Sequence, residues 1–311
     1  MGSHLATALR ERGDAVSALV RSASRAAGLP ALGCRLVEGT LEDEAALERL
    51  VEGADVVFHV AGRVAARSEE EFREANRDGA ARVARAAARA RVSRLVHVSS
   101  LAVTGPAERG RPRTEVSGTA PLTAYGRSKE AGEGAVRDSG ASFTILRPAA
   151  VYGPRDRAFL PLFRGARHGV VPLLGDGGQE LSLLHAEDLA SALVAAALAP
   201  ATLGRTYHAA HPVPTTQRDL AAAIGRAVGR RVRTVTLPAP LVRALLTLAG
   251  GVVRAGGGVP FLDGDKAREL LAPAWTCSSA ALLRDAGWAA RIPLEEGLAG
   301  TARAYRAAGW L

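Results

Sequence analysis

At 311 residues the chain is long enough to bury a sizeable core, and 48% hydrophobic with 23% charged residues describes an ordinary globular protein. The formal charge of +9 does not mark a nucleic-acid binder, because the arginines are scattered along helical stretches such as "RVARAAARARVSR" and are not interleaved with aromatics; they read as solvated faces. Cys34 and Cys277 stand in no metal-ligand or C-x-x-C spacing, so neither a disulfide scaffold nor a zinc site is supported, and both read as buried small hydrophobes in a reducing cytoplasm. The most lipid-like stretch, "LPAPLVRALLTLAGGVVRAGGGVPFL", is broken by Arg243, Arg254 and glycines, so no membrane span is expected. No signal-peptide pattern is present, and the expected location is the cytoplasm.

The first predicted element is a helix with Leu5, Ala6, Ala8 and Leu9 on its apolar face, ending at Gly13. Met-Gly-Ser-His also opens many expression tags, but no His run follows and Leu5 already belongs to that face. An apolar run from Ala15 to Val20 ends at Arg21 and reads as a strand. Then "CRLVEG", "EDEAALERLVEG", "ADVVFHVAG", a long Ala/Arg helix from about Glu69, and "RLVHVSS" alternate strand with helix. That rhythm predicts a parallel sheet with crossover helices. It continues through a helix around Tyr125 to Lys129 and a strand "SFTILRP" closed by Pro148. Beyond Val151 it loosens: "VYGPRDRAF" is a loop opening a helix, "GDGGQE" a turn, and "LEEGLAGTARAYRAAGWL" a final amphipathic helix. The later stretches form a smaller region expected to cover the open end of the sheet, where ligands of such sheets bind.

The sharpest chemical signal is "TAYGRSKE". Tyr125 and Lys129 stand four apart, which places them on one helix face, in a chain with only four tyrosines and two lysines. A phenol with an ordinary pKa of about 10 is a poor base at neutral pH, and a nearby ammonium stabilises the phenolate, so Lys129 would tune Tyr125 for proton transfer. Upstream, "VHVSSLAVTG" sets Ser99 and Ser100 at the end of a predicted strand, where a hydroxyl reaches the same crevice. Together they make the constellation that interconverting a carbinol and a ketone needs.

With these residues in place, the sequence resembles the extended short-chain dehydrogenases/reductases, the NAD-dependent epimerase/dehydratase family, over essentially its whole length. The matching stretches are "DVVFHVAG", "REANRDGAARVARAA" with Asn76, "SSLAVTG", "YGRSK", "LRPAAVYGP" and "LLHAEDLA". The resemblance implies an α/β fold with a doubly wound, Rossmann-like parallel sheet. It makes Ser100 the catalytic serine, Tyr125 the acid/base, and Lys129 a lysine that also binds the nicotinamide ribose. Ala61 and Gly62 would lie along the cofactor, and Pro148, Ala149 and Val151 would approach its nicotinamide end. The implied division is a dinucleotide-binding part, 1–150 with a contribution from about 179–210, and a substrate-binding part, 151–178 and 211–311.

Three departures from the family pattern shape the expectations. The family's first strand and G-x-x-G-x-x-G turn should precede the first helix, and Gly2 matches only the last of those glycines; the chain as given is therefore expected to lack that strand, to fold poorly and to bind the dinucleotide weakly. After the second strand the family often has an acid for the adenosine ribose, whereas Arg21, with Ser22 and Arg25 nearby, suits the extra phosphate of NADP over NAD. The family's Gly-Asp after the third strand reads Gly39-Thr40, leaving Thr40, beside Leu41, or the backbone to contact adenine. Nucleotide-sugar members carry an arginine four residues before the His185 position, and here it is Leu181.

The expected function is thus an NAD(P)-dependent oxidoreductase moving a hydride between nicotinamide and a carbinol or ketone of an apolar small molecule, similar to hydroxysteroid dehydrogenases or dihydroflavonol reductases. A nucleotide-sugar epimerase or dehydratase is the alternative, and an inactive cofactor-sensing or truncated relative the alternative of another class. Homodimerisation is left open. His185, feeding a helix, reads as a packed or capping residue, and Asp188 as a first-turn acid serving the helix dipole.

Overall fold

The structure, a computed structural model, describes residues 1–26 and 28–311, with the side chain of Arg25 outside the described part. Helix α1 (Gly2–Glu11) buries Leu5 and Ala6 and leads into strand β1 (Ser17–Val20), which pairs in parallel with β2 (Arg35–Glu38). Helix α2 (Glu44–Val51), capped by the Asp43 carboxylate on Ala46 N, returns the chain to β3 (Val56–His59). The larger parallel sheet runs β3, β4 (Arg94–Val98), β5 (Phe143–Pro148) and the strand Thr206–Ala209. Its register aligns His59, His97, Ile145 and Thr206 in one row.

Because side chains alternate across a strand, this sheet has two apolar faces. Val57, Leu95 and Ile145 pack against α2, the helix α4 (Gly79–Arg89) and the helix α5 (Ala124–Arg137), through Leu47, Val51, Val83 and Val136. On the opposite face Val96, Val98, Leu146 and Tyr207 meet Leu5 of α1 and Leu189 and Leu193 of the helix Ala186–Leu198. Each fully buried aliphatic chain such as Leu95 contributes roughly 1.5–3 kcal/mol. Helices on both faces of a parallel sheet make the doubly wound α/β fold that the alternation predicted.

Among the described residues β1 pairs only with β2 and β3 only with β4, so the two parallel pieces are not joined by a ladder. They are joined by side chains: Leu19 of β1 and Leu41 pack into the cluster that holds Leu47 and Val57. A further core of Phe163, Leu173, Ile224, Leu298 and Tyr305 lies among the later helices and short strands.

One helix differs from its prediction. The long Ala/Arg helix is broken into α3 (Glu69–Arg73), a π turn over Glu74–Asp78, and α4. The widened turn aims Asn76 inward, where its Nδ2 donates to Arg63 O and to Ser128 Oγ, both at 2.9 Å, and its Oδ1 accepts from Arg63 N at 2.8 Å. Its carbonyl presses on α5 so closely that a Cβ at Gly132 would lie 2.3 Å from it.

Candidate active site

In parallel strands the chain leaves every strand at the same edge, and that edge gathers the residues singled out in the sequence. Arg21 follows β1, Thr40 and Leu41 follow β2, Ala61 and Gly62 follow β3, and Ser100 follows β4. Pro148 ends β5, Ala149 comes next, and Val151 lies in the short strand Ala150–Tyr152. Gly2 opens α1, and His4 Nε2 stands 2.9 Å from Pro154 O, bringing that helix start to the loop beyond Tyr152. Ala149 packs with Leu101, next to Ser100, in a small cluster that includes Ala210 and Cys277.

Helix α5 is started by Thr123, whose hydroxyl accepts from Gly126 N at 3.1 Å, and by Asp265, whose carboxylate accepts from Ala124 N at 2.9 Å. Gly126 lets the helix lie directly on the serine turn, since a Cβ there would sit 2.8 Å from Ala102 O. In that turn Ser100 Oγ accepts from Ala102 N at 3.1 Å. The contact sets Tyr125 beside Ser100, with the Phe72 ring 6.1 Å away. Burial raises the Tyr125 pKa, and the nearby Ser100 hydroxyl works in the opposite direction. At neutral pH the phenol therefore holds its proton.

Lys129 lies one turn further along α5 and is 4% exposed. Its amine donates to Val98 O at 2.7 Å, at the end of β4, and not to the phenol. Burial lowers its pKa to about 8, with the Glu133 carboxylate pulling the other way. That bond uses one of its three N–H donors, and Nζ lies close to the end of β3, since a Cβ at Gly62 would be 3.6 Å from it and 3.1 Å from Asn76 Oδ1. The missing side chain at Gly62 thus lets the backbone at the end of β3 come close to the ammonium and to the Asn76 amide. An ammonium with N–H donors left over, beside a strand end that carries no side chain, is a donor set that suits the diol of a ribose.

Beneath Lys129 is a buried ion cluster that the sequence reading passed over. Glu133 is 0% exposed and takes Arg147 Nε and Nη2 at 2.7 Å each, Ser99 Oγ at 2.6 Å and Arg137 Nη2 at 2.7 Å. Burial alone would raise its pKa, but Arg147, Ser99 and Arg137 together hold it below the usual carboxylate range. Because Arg147 directly precedes Pro148, the cluster ties α5 to the strand end that bears Pro148 to Val151. The signal was present in the sequence: Tyr125, Lys129, Glu133 and Arg137 repeat every four residues along one helix face. His59 and His97 form a stacked pair at 5.2 Å between ring centroids on the same side of the sheet. Burial, and secondarily the Lys129 charge, drops His59 to about 3 and His97 well below its ordinary value, so both are neutral.

The remaining candidates stand apart from this centre. Arg21 is exposed, and the nearby Glu38 carboxylate is held on Ala23 N at 2.7 Å. Thr40 is exposed and its hydroxyl accepts from Glu42 N at 3.2 Å, while Leu41 packs on Gly79. His185 caps the helix Ala186–Leu198 and meets the Tyr152 ring edge-on at 5.4 Å. Asp188 accepts from Arg291 N at 3.0 Å and Ile292 N at 3.1 Å, tying that helix to the C-terminal segment. Both cysteines are buried.

Comparison with known proteins bears on this geometry. A model of the NAD dependent epimerase/dehydratase family matches residues 1–210. The chain is 37% identical over 316 residues to "Ceramide reductase" of Caulobacter vibrioides, covering 100% of this chain and 93% of that protein. It is 30% identical over 314 residues to "2-alkyl-3-oxoalkanoate reductase" of Stenotrophomonas maltophilia, covering 96% and 94%. Among solved structures, the UDP-glucose 4-epimerase of Thermus thermophilus in complex with NAD superposes with a TM-score of 0.77 at 22% identity, covering 99% of this chain and 96% of that one, and so shares the fold.

Proposed function

The chain belongs to the NAD dependent epimerase/dehydratase family and is an NAD(P)-dependent oxidoreductase of the extended short-chain dehydrogenase/reductase type; from that premise we propose that it uses NADPH to reduce a ketone carried on an alkyl chain. The observation that carries this reading is the meeting of Ser100, Tyr125 and Lys129 beyond the end of β4, with the phenol still protonated. A protonated tyrosine is the form a reductase needs, because the ketone oxygen must receive a proton as its carbon receives a hydride.

When bound, the nicotinamide supplies that hydride from C4. The chain supplies the rest. Ser100 Oγ donates a hydrogen bond to the ketone oxygen and orients it. The Tyr125 hydroxyl gives its proton to the same oxygen and becomes a phenolate. Lys129 holds the ribose hydroxyls with its free N–H donors, and its positive charge steadies the phenolate until solvent returns the proton. Ala61, Gly62, Pro148, Ala149 and Val151 form the walls along the cofactor, Gly2 the helix start near its phosphates, and Thr40 and Leu41 the adenine side. Arg21, exposed beyond β1, favours NADPH through a charge-assisted bond to the extra phosphate.

Two features support an alkyl-chain ketone. The relatives named above are a ceramide reductase and a 2-alkyl-3-oxoalkanoate reductase. Leu181 also stands where nucleotide-sugar members carry an arginine, which removes the positive charge a diphosphate would seek. Residues 151–178 and 211–311 supply the substrate walls in this reading, and Asp265 fixes their position by capping α5. The test is a panel of 3-oxoalkyl compounds and UDP-sugars incubated with NADPH or NADH and followed by nicotinamide absorbance. Oxidation of NADPH with an alkyl ketone, faster than with NADH, is expected. Interconversion of UDP-sugars with no net nicotinamide change would overturn the reading.

A further inference from the structure

The helix Ala239–Ala255 packs along one side on the segment that follows it, Gly250 against Asp263 and Thr247 against Gly264, and leaves its other side bare: of its 17 residues only Val242 and Gly250 are buried. Leu241, Leu245, Leu248 and Val252 are 45%, 49%, 68% and 65% exposed, and their spacing puts them in one stripe along the helix. Val253 widens the stripe, and Val259, Phe261 and Leu262 continue the exposed apolar surface beyond the helix. A contiguous apolar face of this extent marks a surface that meets something other than water.

Charge decides what that is. Between Leu220 and Leu262 the chain has six arginines and not one aspartate or glutamate. Arg226 and Arg254 are paired with Glu295 and Asp263, while Arg230, Arg231, Arg233 and Arg243 are exposed. A second copy docking through the same face would bring two such basic segments together, and their repulsion opposes it. A negatively charged lipid surface gains from both features, since acyl chains accept the leucines and anionic headgroups accept Arg243 on the polar side of the same helix and the exposed Arg230, Arg231 and Arg233 in the segment just before it. No helix among the described residues is long and apolar enough to cross a membrane, which leaves an in-plane contact.

We propose that the helix Ala239–Ala255 docks this protein onto anionic lipid bilayers, lying in the headgroup layer with Leu241, Leu245, Leu248 and Val252 toward the acyl chains. The docked surface is close to the chemistry. Gly250 packs on Asp263, where a Cβ would lie 2.6 Å from the aspartate Cβ, and Asp265 two residues on caps the helix that carries Tyr125. An alkyl-chain substrate resident in the bilayer would then meet the enzyme at a face joined through Asp265 to the helix that carries Tyr125.

The docking stands on exposure and charge and needs neither cofactor nor ketone, so its test is independent of the reductase reading. The full chain is mixed with vesicles of equimolar phosphatidylglycerol and phosphatidylcholine, or of phosphatidylcholine alone, and vesicle-bound protein is separated by flotation. Binding to the anionic vesicles, weakened by added salt and reduced roughly tenfold by Leu248→Asp with Val252→Asp, is the expected result. Both side chains point to solvent, so the variant keeps the parent circular dichroism spectrum. Failure of the parent to float with anionic vesicles at low salt would overturn the proposal. So would undiminished binding by the variant, or a parent dimer in solution that the same substitutions dissociate.

Discussion

Lys129 shows how one residue's environment sets its chemistry. An ammonium at this depth loses hydration, and its pKa falls to about 8 even with Glu133 beside it. With its pKa lowered, the lysine carries its charge below about pH 8 and loses it above. Because the proposed mechanism has that charge hold the ribose and steady the phenolate, kcat/KM for ketone reduction should fall as pH rises through about 8, and a profile flat to pH 10 would contradict the role (the ordinary lysine value being about 10.4). Tyr125, Lys129 and the strand-end Ser100 were visible in the sequence because helical spacing and strand ends are local. What was not visible is that the ammonium donates to Val98 O, since that bond depends on how α5 settles on β4.

At the scale of the element, α5 is held at three places along its length. Asp265 and Thr123 fix its start, Gly126 seats it on the serine turn, and the Glu133–Arg147 pair locks its middle to β5. Breaking a buried pair leaves its partner charged and unpaired, which costs about 3–5 kcal/mol. Glu133→Gln should therefore lower the chemical-denaturation stability by an amount of that order and move the Lys129 limb of the pH profile downward, because a nearby negative charge is gone. A variant as stable as the parent, with an unmoved limb, would show that the cluster is incidental. A helix around Tyr125 to Lys129 was readable from the sequence, although its run to Arg137 was not. The break at Glu74–Asp78 was not, because it answers a close contact with Gly132 far along the chain, and no pattern within the Ala/Arg run announces it.

Across the whole molecule, the strand–helix alternation announced a parallel sheet with helices on both faces, and the edge where its strands end collects the site. The later third was less legible, since its strands are as short as Thr215–Thr216 and Ala274–Trp275 and take their pairing from distant segments. Burial under α5 also couples folding to acid. His59 and His97 are neutral in the fold, with pKa values below that of an unfolded histidine near 6.5. The unfolded chain takes up protons as pH falls below that value while the folded chain does not, so stability is present above about pH 6.5 and declines below it. The slope approaches roughly 2–3 kcal/mol per pH unit, and thermal melts from pH 7 to 4.5 should show it, with His97→Leu giving a shallower fall. Equal pH dependence in parent and variant would contradict the account. The central claim, that Tyr125 delivers the proton while the cofactor is held by other residues, is tested most directly by Tyr125→Phe. Single-turnover NADPH oxidation with an alkyl ketone should slow by about 10²–10⁴-fold, with NADPH affinity within a few-fold of the parent; a parent-like rate would contradict it.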